Sequence, residues 1–502
     1  MLSVVQSPPI SPPPASFNMA QYVLGKARTQ PDKIALSVLH DTAPDHWTYA
    51  DLEAAVLGTA TGLLNAGARA GDTVLMRLGN TVDFPLAYLG ALAAGMVVVP
   101  TSAALTMPEV AQIITDLSPK LILHDPDVPC PKAGNIIALD ALHAMRTLPA
   151  ASYHMGDPNR LGYVIYTSGT SGKPRAVAHA HRAIWARQMM FQGWYDLHSD
   201  DRVLHAGAFN WTYTLGTGLM DPWTVGATAL IPAPNTPSAD LPTLLATHNA
   251  TIFAAAPGVY RQLLKSASTL NLPDLRHGLS AGEKLPIATT TAWEQATGTQ
   301  IFEAYGMSEC STFLSSSPKA PASAGALGFA QTGRRVAILG ANGPVPIGDA
   351  GTIAIHNSDP GLMLGYLNAP DETASKMQGD WFLTGDQGVM RDTGEISYLG
   401  RNDDMMNAGG YRVSPIEVEQ ALTGFAGLTS VAATQVEIKA DTFVIAAFYT
   451  SPAPLDEAAL RAYVRDKIAA YKQPRLYVHI DALPLGGNGK ILRRQLRTTW
   501  KA

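Results

Sequence analysis

A layered α/β fold is predicted by three observations. Short β-rich runs alternate with helical stretches over most of the 502 residues; from about Gly333 the pattern changes to strands joined by tight turns; and after "GRNDD" a shorter α+β unit begins. The predicted architecture is a large N-terminal domain of layered α/β subdomains plus a small barrel-like subdomain, followed by a small α+β C-terminal domain. In residues this is a Pro-rich, disordered tail over 1–16, a main domain over 17–402 and a C-terminal domain over 403–502.

The alternation begins with the strand "DTVLMRL", then a helix from about Asp83 and the strand "MVVVP". A helix near "MPEVAQIITDL" follows, then strands "LILHD" and "GYVIYTSG". The longest apolar run, "FPLAYLGALAAGMVVVP", is short for a membrane span and interrupted by Pro85, Gly90 and Gly95. It reads as a buried helix ending near Gly95 and then a buried strand. The antiparallel region is read from "RRVAILGANGPVPIGDAGTIAIH" and "GVMRDTGEISYLG". In the last unit come the helix "SPIEVEQALTGF", the strands "LTSVAATQVEI" and "TFVIAAFYTS", the helix "DEAALRAYVRDKIAA" and a basic end.

Composition excludes several classes. With 46% hydrophobic and 15% charged residues the chain can bury a large core and is not a disordered protein. A net charge of −5 offers no basic excess for nucleic acid. Two cysteines, Cys130 and Cys310, supply neither a disulfide framework nor a four-ligand zinc site, so a reducing cytoplasmic location is expected. The N-terminal "MLSVVQSPPISPPPAS" lacks the basic start of a signal peptide and the arginines of a transit peptide.

Four stretches carry chemistry. "TSGTSGK" supplies glycines for close backbone approach, hydroxyls and a cation, the parts of a phosphate cradle at the end of the strand "LGYVIY". Its glycine spacing and Pro174 exclude the common P-loop pattern; an ordinary Ser/Gly turn is the alternative. "EAYGMSEC" places Ser308 and Glu309 after a strand, suited either to magnesium beside phosphates or to a helix N-cap. Asp386, in a Gly-flanked turn, and Arg401, at a strand end, suit a ribose, or Asp386 simply closes the turn. Lys490 stands in the Gly-rich loop of "LPLGGNGKILRRQLR" and is otherwise a solvated charge.

In this order, "YTSGTSGKPR", "SAGEKL", "EAYGMSE", "TGD", "GRNDDMMNAGGYRVSPIEVE" and "GNGKILRRQL" resemble the core motifs of the acyl-adenylate-forming superfamily, which includes acyl-CoA synthetases, nonribosomal peptide adenylation domains and firefly luciferase. The resemblance runs from about residue 20 to the end. "LMDPWTVGAT", "AWEQATGTQIFEAYG" and "LRRQLRTTW" are most similar to medium-chain acyl-CoA synthetases, and "SAGEKL" leans toward benzoate-type CoA ligases. Arg175 and Ala176 depart from the Lys and Gly common in that loop.

What the resemblance implies is a two-step reaction. A carboxylate attacks the α-phosphate of ATP to give acyl-AMP and diphosphate, and the thiol of CoA then displaces AMP. Cofactors and substrates would be ATP, Mg2+, CoA and a small carboxylic acid. By motif match Thr167, Ser168, Gly169, Thr170, Ser171, Gly172, Lys173 and Arg175 would wrap the diphosphate. Gly282, Glu283, Glu303, Ala304, Tyr305, Gly306 and Met307 would line the adenine, with Ser308 at the α-phosphate. Asp386 and Arg401 would hold the ribose, Glu309 the magnesium, and Lys490 would bridge carboxylate and α-phosphate as the catalytic cation. The C-terminal domain would be mobile, swinging about Asp403 to bring Gly409, Gly410, Tyr411 and Arg412 to CoA. Arg465, with Lys472 and Arg475, is a candidate for the CoA phosphates, or an ordinary solvated charge.

The acyl pocket is expected from "GAFNWTYTLG", with Asn210 and Trp211, and from Ala281 and Gly306. Asn210 stands where amino-acid-activating relatives keep an Asp for the ammonium group, which fits a plain fatty or aryl acid. "HAHR" has alternating histidines but no further ligand type nearby. The alternative within the fold is a stand-alone enzyme that loads an acid onto a carrier protein; a noncatalytic nucleotide sensor is disfavoured by the presence of Glu309 and Lys490. No nucleic acid and no membrane span are expected, and the oligomeric state stays open, a homodimer included.

Overall fold

The computed structural model describes residues 1–502 apart from 41–42, 168–174, 267–268, 283, 402–403, 409–410, 440–441, 466, 469, 487–489 and 501–502, and the backbone alone at 266, 407–408, 411–412, 439, 442 and 471. The chain forms two compact units, Gln6–Arg335 with His356–Asp380, and Met1–Val5 with Val336–Ile355 and Trp381–Ala502. A single cut at 403 describes a different division, because the antiparallel strands after Arg335 group with the C-terminal segment.

The larger unit holds a nine-stranded and a seven-stranded sheet. At the centre of the first, Arg202–His205, Thr228–Pro232, Ile252–Ala254, His277–Ala281 and Ile301–Met307 pair in parallel. Strands such as Ile252–Ala254 and His277–Ala281 are buried along their whole length. Parallel strands covered on both faces read as unbroken apolar runs, which is why alternation is weak in this sequence. In the second sheet Leu161–Thr167 pairs in parallel with Val97–Pro100 and antiparallel with Arg175–Ala180.

The long apolar run is the helix Asp83–Ala93 followed by the strand Val97–Pro100, and both are buried throughout. Fully burying each Leu or Phe there contributes about 1.5–3 kcal/mol. Among the described residues no helix is long and apolar enough to cross a membrane. Asp83, in the first turn, pairs with the Arg146 guanidinium and lies 2.9 Å from His143 Nε2, so the buried helix start carries no orphaned charge. Its end is a Schellman turn: Gly95 N–H donates to Leu92 O and Met96 N–H to Ala91 O, with Gly95 at φ +78°.

In the other unit the sheet is built on antiparallel pairs, Arg335–Gly340 with Ala350–His356 and Trp381–Met390 with Ile396–Arg401. The N-terminal tail is not simply unordered. Val4–Gln6 forms a strand beside Arg335–Gly340, with Ser3 N–H donating to Val345 O at 2.8 Å and Ile338 N–H to Ser3 O at 2.9 Å. The β-branched pair Val4 and Val5 ahead of the prolines supplies an edge strand that composition alone concealed.

The C-terminal α+β segment packs the helices Pro415–Leu422, Glu457–Arg465 and Arg493–Thr499 with the strands Ser430–Lys439, Thr442–Thr450 and Leu476–His479. Ser414 caps the first helix by accepting the Glu417 N–H. Glu419 bridges helix and sheet: its Oε1 accepts Ala433 N–H at 2.8 Å and Arg493 Nη2 at 2.7 Å.

Gly95→Ala is expected to destabilise the protein by about 1–2 kcal/mol, because a left-handed backbone disfavours a side chain and the added Cβ would meet the His154 ring. A lowered thermal midpoint checks this; an unchanged one refutes the cap assignment.

Candidate active site

The expected phosphate loop joins two paired strands, with Thr167 directly opposite Arg175. Ser168, Gly169, Thr170, Ser171, Gly172 and Lys173 lie outside the described residues; both ends of the loop are therefore tied by a hairpin whose base is part of the sheet. Arg175 Nε stands 2.5 Å from Glu372 Oε1, and its guanidinium lies 5.4 Å from the centre of the Tyr366 ring. The hydroxyl of Tyr366 donates to Glu309 Oε1 at 2.7 Å. Arg175, Tyr366 and Glu309 thus form a continuous chain of contacts.

Ala304, Tyr305, Gly306 and Met307 complete the strand Ile301–Met307; Ser308, Glu309 and Cys310 form the turn to the strand Ser311–Ser315. This turn replaces the helix N-cap that the sequence left open. A bulge falls between Tyr305 and Gly306, and a Cβ at Gly306 would run into the Ser311 carbonyl and Thr312 backbone. Glu309 is buried, and its carbonyl accepts Met363 N–H at 2.7 Å. The Ser308 carbonyl accepts from His179 Nε2 at 2.7 Å, and the Met19 N–H donates to His181 Nδ1 at 3.1 Å. The two histidines therefore serve as packing partners. Burial pushes their pKa values down to about 4 and about 3.

Ala281 and Ala304 are cross-strand partners. Gly282 follows at φ +93°, with open space where a Cβ would stand, and Glu283 lies outside the described residues. Glu303 Oε1 accepts Leu285 N–H at 3.0 Å. Burial raises its pKa to about 7, against the opposing pull of that N–H and of the Lys284 charge.

Asn210 is half-buried and Trp211 exposed, at 37%, in the connection after Arg202–His205. Trp211 is edge-on to Tyr213 at 5.0 Å, and Tyr213 is edge-on to the buried His205 at 4.6 Å. Burial lowers the His205 pKa to about 3, so the ring is neutral. The chain then enters a π-helix, Thr214–Met220, a geometry frequent at functional sites. It is held by a buried cluster: Arg187 makes two bonds to Asp221, at 2.8 and 2.6 Å, and Tyr195 donates to Asp221 Oδ2 at 2.7 Å. Arg187 Nη1 also donates to Ser311 Oγ at 2.7 Å. Sequence reasoning missed Arg187, Tyr366 and Glu372, whereas Tyr213 falls within the expected acyl-pocket segment; the one visible signal for the buried cluster was Asp221, a lone charge in "LMDPWTVG".

The remaining candidates belong to the other unit. Asp386 is not in a turn: it lies within the strand Trp381–Met390 opposite Arg401, whose Nη1 is 3.7 Å from Asp386 Oδ1. Gly385 at φ +81° bends the strand locally, which made "TGD" read as a turn. Lys490 is exposed, and its carbonyl accepts Gly486 N–H at 2.8 Å, next to the antiparallel bridge between Leu485 and Ile491. Asp403, Gly409 and Gly410 lie outside the described residues. Tyr411 and Arg412 belong to the strand Tyr411–Val413, paired with Met406–Ala408. Arg465 ends its helix exposed, whereas Lys472 Nζ pairs with Glu417 Oε1 at 2.5 Å.

Among the described residues no group of three or more His, Cys, Asp and Glu converges on a metal position. A single buried carboxylate with one oxygen fixed by a neutral hydroxyl fits magnesium, which takes one or two carboxylates and completes its shell with water and phosphate oxygens.

Because the folded state holds the Glu303 proton more tightly than the unfolded chain, that contribution to stability is complete below the ordinary carboxyl range and is lost as pH rises through about 7. Glu303→Gln should therefore gain in thermal midpoint relative to wild type between about pH 5 and about pH 8. A constant difference across that range would show that Glu303 is not held protonated.

The AMP-binding enzyme family matches residues 25–367, and the AMP-binding enzyme C-terminal domain matches residues 417–490. Benzoate–CoA ligase of Thauera aromatica is 27% identical over 98% of this chain and 98% of its own. The mitochondrial acyl-coenzyme A synthetase ACSM3 of Pongo abelii is 28% identical over 97% of this chain and 90% of its own. The crystal structure of ATP-bound MatB from Rhodopseudomonas palustris superposes with a TM-score of 0.87 at 25% identity, covering 96% of this chain and 98% of that one. The chain belongs to the AMP-binding enzyme family.

Proposed function

We propose that the protein is an AMP-forming acid–thiol ligase: carboxylate, ATP and CoA are converted to acyl-CoA, AMP and diphosphate through an acyl-adenylate, in the cytoplasm. The observation that carries this reading is the contact chain from the base of the loop hairpin at Arg175, through Tyr366, to the buried Glu309. It ties a glycine- and hydroxyl-rich loop to a single carboxylate, the pairing that a metal-bound triphosphate requires. The names of relatives that span nearly the whole chain, a benzoate–CoA ligase and an acyl-coenzyme A synthetase, support CoA as the thiol.

Bringing a carboxylate to a polyphosphate sets two anions together, so the work is largely electrostatic. The loop from Thr167 to Lys173, with Arg175 at its base, holds the diphosphate part, and Glu309 offers its carboxylate to magnesium. When bound, magnesium neutralises charge on the phosphates. Gly282 and Glu283, with Glu303 and the strand to Met307, receive the adenine; Ser308 faces the α-phosphate; Asp386 and Arg401 take the ribose hydroxyls. Lys490 bridges the attacking carboxylate and the α-phosphate.

Thiol attack then needs another lining. The C-terminal domain turns about Asp403, withdraws Lys490 and presents Gly409, Gly410, Tyr411 and Arg412 to the pantetheine arm, with Arg465 toward the CoA phosphates. The acid is a medium-chain fatty or aryl acid. Asn210, in place of an acidic residue, gives an ammonium group no partner, and the aromatic pair Trp211 and Tyr213 suits an apolar acyl body.

Incubating the enzyme with ATP, CoA and acids from two to twelve carbons beside benzoates should yield thioester with at least one class. Diphosphate release without thioester would overturn CoA as acceptor and favour carrier-protein loading. Lys490→Ala should slow adenylate formation by about 100-fold or more while sparing thioester formation from supplied acyl-AMP. An equal loss in both half-reactions would overturn the domain alternation.

A further inference from the structure

The contact chain that ends at Glu309 assigns roles to residues outside the motifs. We propose, resting on the reading of Glu309 as the magnesium carboxylate, that Tyr366 is its positioning residue and that Arg175, pinned by Glu372, holds Tyr366 in place. Tyr366 is 5% exposed and fixed from both sides. Its backbone pairs with Val177 in the short strand Gly365–Tyr366, and its N–H donates to Thr373 Oγ1 at 2.9 Å. Thr373 and Glu372 both belong to the helix Pro370–Ser375, so one element anchors the tyrosine backbone and the partner of Arg175.

The chemistry of each member suits this role. A phenol hydroxyl is a neutral donor, so it fixes one oxygen of Glu309 while leaving the negative charge for a cation; a lysine or arginine in its place would cancel that charge. The Arg175 guanidinium lies over the phenol ring and meets Glu372 instead of Glu309. A planar guanidinium stacks on an aromatic face and pairs with a carboxylate at once, which a lysine ammonium does less well. This accounts for arginine at a position where the similar loops carry lysine. Arg175 and Glu372 therefore act on Glu309 through Tyr366.

The test measures metal binding as well as turnover. Mn2+ affinity in the presence of a non-hydrolysable ATP analogue is read by electron paramagnetic resonance of free Mn2+, and the half-saturating Mg2+ concentration by diphosphate release, for wild type, Tyr366→Phe, Glu372→Gln and Glu309→Gln. Tyr366→Phe keeps the ring under Arg175 and removes only the hydroxyl; it is expected to weaken Mn2+ binding and raise the Mg2+ requirement by about ten-fold or more. Glu372→Gln should shift both in the same direction by less. Wild-type metal affinity in Tyr366→Phe would overturn the proposal; should that variant fail to fold, unchanged affinity in Glu372→Gln would do so. Wild-type Mn2+ affinity in Glu309→Gln would instead remove the carboxylate assignment on which the proposal stands.

Discussion

Parallel strands buried on both faces leave polar chemistry only one place to gather, the ends where the strands stop. In the larger unit the candidate residues follow that constraint. Thr167 ends Leu161–Thr167, Gly282 follows His277–Ala281, Ser308 and Glu309 follow Ile301–Met307, and the 206–213 connection follows Arg202–His205. Each strand runs in parallel with a neighbour, so these carboxyl ends share a direction within their sheet. Open α/β sheets place ligands at such ends because main-chain groups there are no longer taken up by the ladder.

Charges that enter the interior do so in matched sets. Arg187 and Asp221 brace the π-helix Thr214–Met220; Arg334 and Asp359, 0% and 1% exposed, meet at 2.5 Å beside Cys310. Buried pairs of this kind are poor sources of net stability, since desolvation offsets the attraction, but loss of one partner is costly. Their effect is to fix geometry. Arg187 reaches both Asp221 and Ser311, so the helix start after the π-helix and the strand that follows the Glu309 turn are held from a single guanidinium.

The antiparallel unit obeys different rules. Cross-strand pairing places Asp386 opposite Arg401 directly, without a loop. The same pairing recruits Val4–Gln6 to an edge, where it covers main-chain groups of Arg335–Gly340. Near its C-terminus, Arg493 bonds Glu419 and Arg497 bonds Asp404, so the last helix is tied to the helix Pro415–Leu422 and to the residue that follows Asp403.

Much of this was legible in the amino-acid sequence. Local patterns set the helix and strand at 83–100 and the α+β ending, because each depends on periodicity or on residues adjacent in the chain. The turn at Glu309 and the strand position of Asp386 were not, since a glycine before an acidic residue suits a bent strand as well as a turn. Nor was the link from Arg175 to Glu309. It passes through Tyr366, 57 residues beyond Glu309, and Glu372, whose proximity arises only when Gly365–Tyr366 pairs with Arg175–Ala180. Sequence alone determined which chemical groups the protein carries and the local elements they sit on; tertiary structure decided which of them meet, because contacts between distant segments depend on sheet order and packing, which no local pattern encodes.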